Sequence, residues 1–244
     1  MKHLLIRFAT GISVSHAIAA HVSTTSTVIP NAYREDIFQK LPLIERDREL
    51  VFLGRLVSDK GADLLLLALA KLKACGLRPR LTVIGDGPEK AALGRQAKDL
   101  GIYGQVDFVG VKVEKELADL LNAHRILIAP SRVQEGFGIV TLEGIACGCV
   151  VVGSDSGGLK EAIGPCGLTF PNGDAEALAQ SLFRLLTEAE ELSKYRAQAD
   201  AHLARHRGAE VARAYLQVFE KALRGERAQK QLASESLKST MNAE

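Results

Sequence analysis

Short apolar runs alternate with amphipathic stretches along the chain from residue 50 onward. Five runs are rich in Val, Ile, Leu or Phe, and Gly or Pro follows each of them: residues 50–53, 81–84, 106–109, 126–129 and 150–152. Strands of a parallel sheet are covered on both faces and are therefore apolar at nearly every position. The pattern predicts five buried parallel strands.

The segments between these runs have the periodicity of helices. Four helices are predicted, at about residues 63–75, 88–101, 114–123 and 139–147. Repeated strand–helix units with short links are typical of a doubly wound, Rossmann-like α/β domain, in which ligands bind at the carboxyl ends of the strands. This α/β architecture with a parallel sheet is the predicted fold class.

The C-terminal part of the chain departs from this alternation. No further strand is predicted beyond Pro171, and Asp174 is a suitable N-cap for a helix that reaches about residue 195. Another helix is predicted over about 209–223. Residues 225–244 are polar and lack periodicity, which predicts an irregular tail.

The N-terminal thirty residues also differ from the repeated strand–helix units, because the pattern predicts a strand, a short Ala-rich helix and a second strand there. Two strands alone cannot build a stable sheet. Residues 1–30 are therefore predicted to be the end of a preceding structural unit, and residues 31–224 the main domain. The strand at residues 12–15 is expected to be poorly ordered or to pair with another chain.

Composition narrows the classes of function. The 244 residues are 47% apolar and carry a formal net charge of only +2, which argues against a nucleic-acid binder. No apolar run reaches the ~18 residues that a membrane span needs. The four cysteines form no CxxC pair, and Arg7 interrupts the one N-terminal stretch that is similar to a signal peptide. We predict a cytoplasmic protein with reduced thiols.

Two cations follow the first buried strand directly. Gly54 permits a close backbone approach, and Arg55 and Lys60 place a planar guanidinium and a compact ammonium at the predicted crevice. Such a pair suits a diphosphate. The alternative is a solvated loop with ordinary surface cations. The GxxxxGK[ST] spacing of a Walker A loop is absent.

The turn after the second strand contains Gly85, Asp86 and Gly87. These residues permit a tight turn against a ligand, or form a plain strand-to-helix turn. They do not continue into GxGxxG, which disfavours a nicotinamide-dependent dehydrogenase.

The stretch from Glu135 to Glu143 is the most informative. Gly136 and Gly138 free the backbone before a predicted helix, whose first N–H groups and dipole would attract an anion. Glu135 then lies in the loop and Glu143 within the helix, where two carboxylates could bind hydroxyls at either end of a sugar nucleotide. The alternatives are solvated carboxylates or an acid–base pair for glycoside hydrolysis.

Four segments in this order resemble the donor-binding half of retaining, nucleotide-sugar-dependent glycosyltransferases of the GT-B fold, family 4 (group 1). They are residues 54–61, 83–88, 130–143 and 157–161. Residues 28–31 are similar to the hinge of that family. The resemblance covers roughly residues 10–220, and it implies that the chain is the C-terminal half of a GT-B enzyme.

The resemblance also implies roles for these residues. Arg55 and Lys60 would neutralise the donor diphosphate, and Glu135 would contact the transferred sugar; these three form the implied catalytic group. Glu143 would bind the ribose hydroxyls. The rest of the implied donor-binding set is Gly54, Gly85, Asp86, Gly87, Gly136, Phe137, Gly138, Ile139 and Val140. Because the chain has no Asp-x-Asp pair for a divalent ion, neither a metal nor another cofactor is expected.

The implied reaction moves a hexosyl unit from a UDP- or GDP-sugar to a glycan or lipid acceptor, in the cytoplasm or at the inner face of the membrane. Members of the family carry a further N-terminal domain, so the chain is expected to be a truncated gene product, a fragment, or one subunit of a split enzyme in which a partner polypeptide supplies that domain. We then expect the isolated chain to bind a donor but transfer it poorly.

Two alternatives stay open. The first is a nucleotide-sugar-binding module without turnover, which presents its ligand to a partner or regulates it. The second concerns His202 and His206, which lie four residues apart on a predicted helix. They could bind zinc, although a solvated helix face is the simpler expectation.

Overall fold

The computed structural model describes residues 10–241, with side chains through residue 224. Eight strands are present in this range: β1 Gly11–Ser13, β2 Ser26–Val28, β3 Arg48–Leu53, β4 Leu81–Ile84, β5 Val106–Gly110, β6 His124–Ala129, β7 Val150–Ser154 and β8 Gly167–Phe170. The helices are α1 His16–Ala19, α2 Ala62–Ala74, α3 Lys90–Asp99, α4 Glu114–Ala123, α5 Ile139–Ala146, α6 Leu159–Ile163, α7 Ala175–Thr187, α8 Ala189–Arg196, α9 Ala199–Ala204 and α10 Gly208–Met241.

Strands β3 to β8 form one six-stranded sheet in the order β5-β4-β3-β6-β7-β8, and all neighbouring pairs are parallel. The five predicted strands are confirmed. The sixth, β8, was not predicted, because it is a short edge strand in which only Phe170 is buried. A strand exposed in this way lacks the continuous apolar run of the central strands.

Side chains alternate between two cores across the sheet. Leu50 and Phe52 point into one core, which α2 and α7 cover, whereas Val51 points into the other, which α5 and α6 cover. Cys147, Cys149 and Cys166 are buried free thiols, and Cys75 is an exposed one. Burial on both faces explains why the sequence of these strands is apolar at successive positions.

The strand order reverses between β3 and β6. The chain leaves β3 toward β4 on one side of the sheet, and β6 pairs with β3 on the other, with Leu50 opposite Ile126 and Phe52 opposite Ile128. At such a switch point the loops after the two central strands diverge and leave a crevice, in which ligands of doubly wound sheets bind.

The N-terminal strands pair with each other. Gly11–Ser13 lies parallel to Ser26–Val28 as a separate two-stranded sheet. The strand is therefore ordered, and the expectation of poor order is wrong, whereas its pairing with another chain stays a prediction. The carboxylate of Glu161 accepts hydrogen bonds from the backbone N–H of His16 and Ala17, 3.1 Å each, and thereby holds α1 against the main domain.

The C-terminal helices differ from the prediction in two places. Asp174 caps α7 as expected, because its Oδ1 accepts from two backbone N–H groups at 2.9 Å. The predicted helix to residue 195 is broken at Glu188 into α7 and α8. The backbone stays helical to Met241, so the predicted tail is wrong over 225–241, a stretch without Pro and with Gly at its first position only. Residues 242–244 lie outside the described range.

Within residues 10–241, every helix is too short or too polar to traverse a lipid bilayer.

Two buried histidines make the stability of this fold depend on pH. His124 Nδ1 donates to Leu120 O at 2.6 Å, and its Nε2 lies 2.8 Å from Thr82 Oγ1. His206 contacts Asn31 O through Nδ1 at 3.1 Å, and its buried Nε2 has no hydrogen-bond partner among the described residues. Burial lowers the pKa of each histidine to about 4.

Because the folded-state pKa values lie below that of an unfolded histidine, the unfolded chain binds more protons between pH 6.5 and 4. We expect the free energy of unfolding to fall by about 2–4 kcal/mol for each histidine across this window. Urea unfolding at a series of pH values measures this loss. His206→Phe should flatten the pH dependence, and the exposed control His21→Gln should not. An unchanged slope in His206→Phe would exclude this histidine as a source.

Candidate functional site

Three loops meet at the carboxyl ends of β3, β6 and β7, and hydrogen bonds join them. The backbone N–H of Arg132, in the loop after β6, donates to Asp59 O, in the loop after β3, at 2.8 Å. From the end of β7, Ser154 Oγ donates to Ser131 O at 2.6 Å. The three loops therefore form one connected rim around the switch point.

The loop after β7 fits closely beneath Glu135. The N–H of Gly158 donates to Glu135 O at 2.8 Å, and a Cβ added at Gly157 would lie 2.3 Å from the same oxygen. Gly157 has a φ of +58°, in the left-handed region. The two glycines thus allow this loop to support the backbone of Glu135.

Lys60 and Glu135 form an ion pair at the centre of the rim. Lys60 Nζ and Ser131 Oγ both donate to Glu135 Oε1. The Lys60 and Glu135 side chains are 30% and 19% exposed. No protein group within the described residues donates to Glu135 Oε2. One carboxylate oxygen is therefore held by the protein, and the other is available to a ligand.

Opposing effects act on the pKa of Glu135. Partial burial raises this pKa, but the hydrogen bonds from Lys60 and Ser131 and the nearby charges of Lys60 and Arg55 outweigh burial and lower it below its usual range. The carboxylate is accordingly ionised at neutral pH.

Arg55 lies on the same rim as an exposed cation. Its guanidinium makes no ion pair or hydrogen bond to any side chain or backbone group of the described part of the chain. Its charge is close enough to Glu135 to lower the pKa of that carboxyl. The sequence expectation that Arg55 and Lys60 share one crevice matches this arrangement.

Helix α5 begins at the edge of the same crevice. Gly138 has a φ of +93° at its N-cap, and a Cβ there would lie 2.6 Å from Leu159 Cδ1. The N–H groups of Ile139 and Val140 occupy the first turn, where a helix has no internal acceptor for them. They have no hydrogen-bond partner among the described residues. Two donors without a protein partner in the described residues therefore lie at the start of α5, four and five residues after Glu135.

Glu143 lies one turn further along α5 and is half-buried. Its carboxylate makes no ion pair or hydrogen bond within residues 10–224, and burial raises its pKa. A desolvated carboxylate without a partner is costly for the fold. Hydroxyl donors from a ligand would satisfy it.

The glycines of the turn after β4 serve packing. A Cβ at Gly85 would lie 1.9 Å from Gly54 O, and a Cβ at Gly87 would lie 2.4 Å from Leu56 O. Asp86 binds the N–H of Gly87 at 2.7 Å and pairs with Lys90 at 3.1 Å. The residues predicted to face the donor here are thus explained by a close strand-to-helix turn, which supports the loop that carries Arg55.

Three other predicted residues differ in how they can contribute. Phe137 is 4% exposed, and its ring packs 5.5 Å from that of His206, so its side chain lies in the core and does not line the crevice. A Cβ added at Gly136 would lie in open space, with Val14 Cγ2 as its nearest neighbour at 4.0 Å. At Gly54 a Cβ would make ordinary contact with Phe52 at 3.4 Å, so packing does not require its glycine.

The sequence prediction missed Ser131 and Arg132. Ser131 is 4% exposed and donates to Glu135, four residues on. Arg132 binds both oxygens of Asp63, at 2.7 and 2.6 Å, and so joins the loop to α2. A serine directly after a buried strand and four residues before a candidate carboxylate was a usable signal. Arg132 and Asp63 are 69 residues apart in the sequence, and no sequence signal indicated their contact.

His202 and His206 are neither zinc ligands nor a solvated face. Their rings lie 5.0 Å apart in the core, with His202 Nε2 2.7 Å from Ala162 O. Over the described residues, no group of three His, Cys, Asp or Glu side chains is placed to hold a metal ion. Both histidines serve packing, and His206 joins Asn31 to the ring of Phe137.

Comparison with known proteins links this geometry to one family. The profile described as "Glycosyl transferases group 1" matches residues 33–202. The D-inositol 3-phosphate glycosyltransferase of Rhodococcus erythropolis is 34% identical over 183 residues, which are 71% of this chain and 41% of that protein. The enzyme of the same name from Frankia alni is 36% identical over 192 residues, 74% and 47% of the two chains.

A further relative is the GDP-mannose-dependent alpha-(1-6)-phosphatidylinositol monomannoside mannosyltransferase of Mycolicibacterium smegmatis. It is 35% identical over 152 residues, which cover 57% of this chain and 38% of that enzyme. This chain therefore spans half or less of the length of these three relatives.

Solved structures share the fold. Anabaena Alr3699/HepE in complex with UDP superimposes with a TM-score of 0.76 at 21% identity, over 87% of this chain and 64% of that one. A glycosyltransferase from Rickettsia africae gives 0.77 at 20% identity, over 88% and 64%. The doubly wound prediction is confirmed, and the neighbours identify it as the Rossmann-like half of a GT-B fold.

Proposed function

The chain belongs to the family of group 1 glycosyl transferases, and from this premise we propose that its switch-point crevice binds the nucleoside diphosphate of a sugar donor. One observation carries the proposal: Lys60 pairs with Glu135 on the rim where Arg55 is an exposed cation, and α5 begins with unpartnered amides shortly after Glu135. A diphosphate is the group that two cations and a helix start fit best.

The proposed reaction is the transfer of the sugar with retention of configuration. Arg55, Lys60 and the N–H groups of Ile139 and Val140 would stabilise the charge that develops on the leaving diphosphate. Fixed donors of this kind supply electrostatic catalysis without a covalent step on the protein. A UDP or GDP donor is supported by the UDP complex of the Anabaena neighbour and by the mycobacterial relative, which is named as GDP-mannose-dependent.

The two glutamates are proposed to bind hydroxyls. Glu135 Oε2 is available beside the diphosphate site and would accept from the transferred sugar. Glu143, half-buried and without a partner in the described residues, would accept from the ribose. Gly85, Asp86 and Gly87 would contribute only by holding the loop of Gly54 and Arg55 in place.

A glycan or lipid acceptor is proposed from the relatives, two of which are named for inositol 3-phosphate and one for a phosphatidylinositol mannoside. We propose a cytoplasmic location, or the inner membrane surface if the acceptor is a lipid. We retain the proposal that residues 1–30 belong to an acceptor domain and hinge. Residues 1–9 lie outside the described range.

A further protein unit is proposed to complete the cleft, in the same natural chain or as a partner polypeptide. Two features support it: within residues 10–241 the sheet of β1 and β2 has no third strand, and α10 exposes Leu216, Phe219 and Leu223 on successive turns. The same features favour the second candidate function, a nucleotide-sugar-binding module that needs a partner for turnover.

Calorimetric titration of the purified chain with UDP, GDP and ADP tests the proposed function. We expect binding of UDP or GDP that persists in excess EDTA, because Arg55 and Lys60 supply the countercharge that a divalent ion would otherwise supply. Loss of binding in EDTA, restored by Mn²⁺ or Mg²⁺, would contradict the metal-free site. Transfer from labelled donors, with and without a polypeptide that supplies the other unit, then separates an enzyme from a binding module.

A further inference from the structure

We propose that the ion pair between Lys60 and Glu135 limits the affinity of the crevice for the diphosphate, so that the nucleoside diphosphate is released after transfer. This inference rests on the proposed function and concerns the regulation of the same site. It assigns Glu135 a second property besides contact with the sugar: it is the protein's own anionic competitor for Lys60.

The ion pair is built into the rim and is not an incidental surface contact. Lys60 and Glu135 are both partly buried, so bulk salt screens their attraction less than that of exposed pairs. Ser131, itself buried, donates to the same Oε1 that accepts from Lys60. Its backbone is in turn held by Ser154, at 2.6 Å. The charged oxygen is therefore fixed against the ammonium.

The charges of the three side chains explain why such a competitor acts mainly on the product. Arg55 and Lys60 contribute two positive charges and Glu135 one negative charge. A nucleotide-sugar carries one negative charge on each of its two phosphates, because the terminal phosphate is esterified. The released nucleoside diphosphate gains most of a further charge at neutral pH, since a terminal phosphate has a second pKa near about 6. Two unopposed cations would therefore hold the product more tightly than the substrate.

Glu135 reduces this difference between the affinities for the product and for the substrate. Its carboxylate neutralises part of the field at Lys60 and repels the extra charge of the product, because like charges close together disfavour each other. Lys60 keeps two N–H donors beyond the one that Glu135 accepts. The diphosphate can therefore still be bound, but with an affinity that permits release.

The test compares UDP binding by the purified wild-type chain, Glu135→Gln and Glu176→Gln. Glu176, on α7, pairs with Lys71, on α2, at 2.7 Å and is the control, because neither residue belongs to the rim. Loss of the Glu135 charge should tighten UDP binding about 10-fold, and the control should bind as the wild type does. Thermal unfolding establishes that each variant is folded, and Glu135→Ala replaces Glu135→Gln if the latter is not.

The outcomes distinguish this inference from the proposed function. Tighter UDP binding by Glu135→Gln supports the inference, including the case in which the wild type binds too weakly to measure. Measurable binding by the wild type with equal or weaker binding by Glu135→Gln overturns the inference and leaves the proposed function intact. No binding of UDP or GDP by either protein overturns both.

Discussion

Lys60→Met is expected to weaken the binding of UDP about 100-fold. The substitution removes a charge-assisted contact worth about 1.5–3 kcal/mol, and each 1.4 kcal/mol is about tenfold in affinity. It also leaves the carboxylate of Glu135 unpaired beside the phosphates. Arg55→Ala removes a cation without exposing an anion, so its loss should be nearer the lower end of the 10- to 100-fold range. Titration calorimetry measures both.

A lysine outside the crevice is the control for that comparison. Lys115, on α4, is exposed and pairs with Asp119 at 2.7 Å, and Lys115→Met should bind UDP as the wild type does. If Lys60→Met stays within about threefold of the wild type while its fold is intact, the diphosphate is not bound by Lys60 and the site is wrongly placed.

Gly85→Ala is expected to lower the free energy of unfolding by about 3 kcal/mol or more. The new Cβ would lie 1.9 Å from Gly54 O, and the φ of +136° is one that residues with a side chain rarely adopt. Since neither backbone can yield without moving the loop that carries Arg55, UDP binding should fall as well.

Gly94→Ala is the matched control. Gly94 lies inside α3 with nothing within 4 Å of the new Cβ, so this substitution should stabilise the chain by about 0.5–1 kcal/mol through helix propensity. Urea unfolding gives both values. A Gly85→Ala chain as stable as the wild type would show that the turn after β4 can relax and does not fix the crevice.

The parallel sheet could be predicted because its central strands are covered on both faces. Val51 and Phe52 point into different cores and are both apolar, so the strand appears in the sequence as a continuous apolar run. The same reasoning failed at β8, whose edge position leaves three of its four residues only partly buried.

The members of the candidate site could be predicted in part. Arg55, Lys60, Glu135 and the start of α5 follow strands whose carboxyl ends must meet, and this placed them on one edge of the sheet. The Lys60–Glu135 pairing could not be deduced, because it joins residues 75 apart through side-chain geometry.

The role of the glycines in the turn after β4 could not be decided from the sequence, which left a ligand-facing turn and a plain strand-to-helix turn both open. A glycine required by a ligand cannot be distinguished in the sequence from a glycine required by a neighbouring backbone. The structure separates them, since Gly85 and Gly87 face Gly54 O and Leu56 O. The family resemblance placed Phe137 in the donor-binding set, whereas its ring is buried against His206.

A crystal structure of this chain with UDP tests the central claim most directly. We expect diphosphate oxygens within about 2.7–3.2 Å of Arg55, Lys60 and the N–H of Ile139 or Val140 at the start of α5. UDP bound away from the switch point, for instance in the groove between α2 and α7 that Lys71 lines, would contradict it.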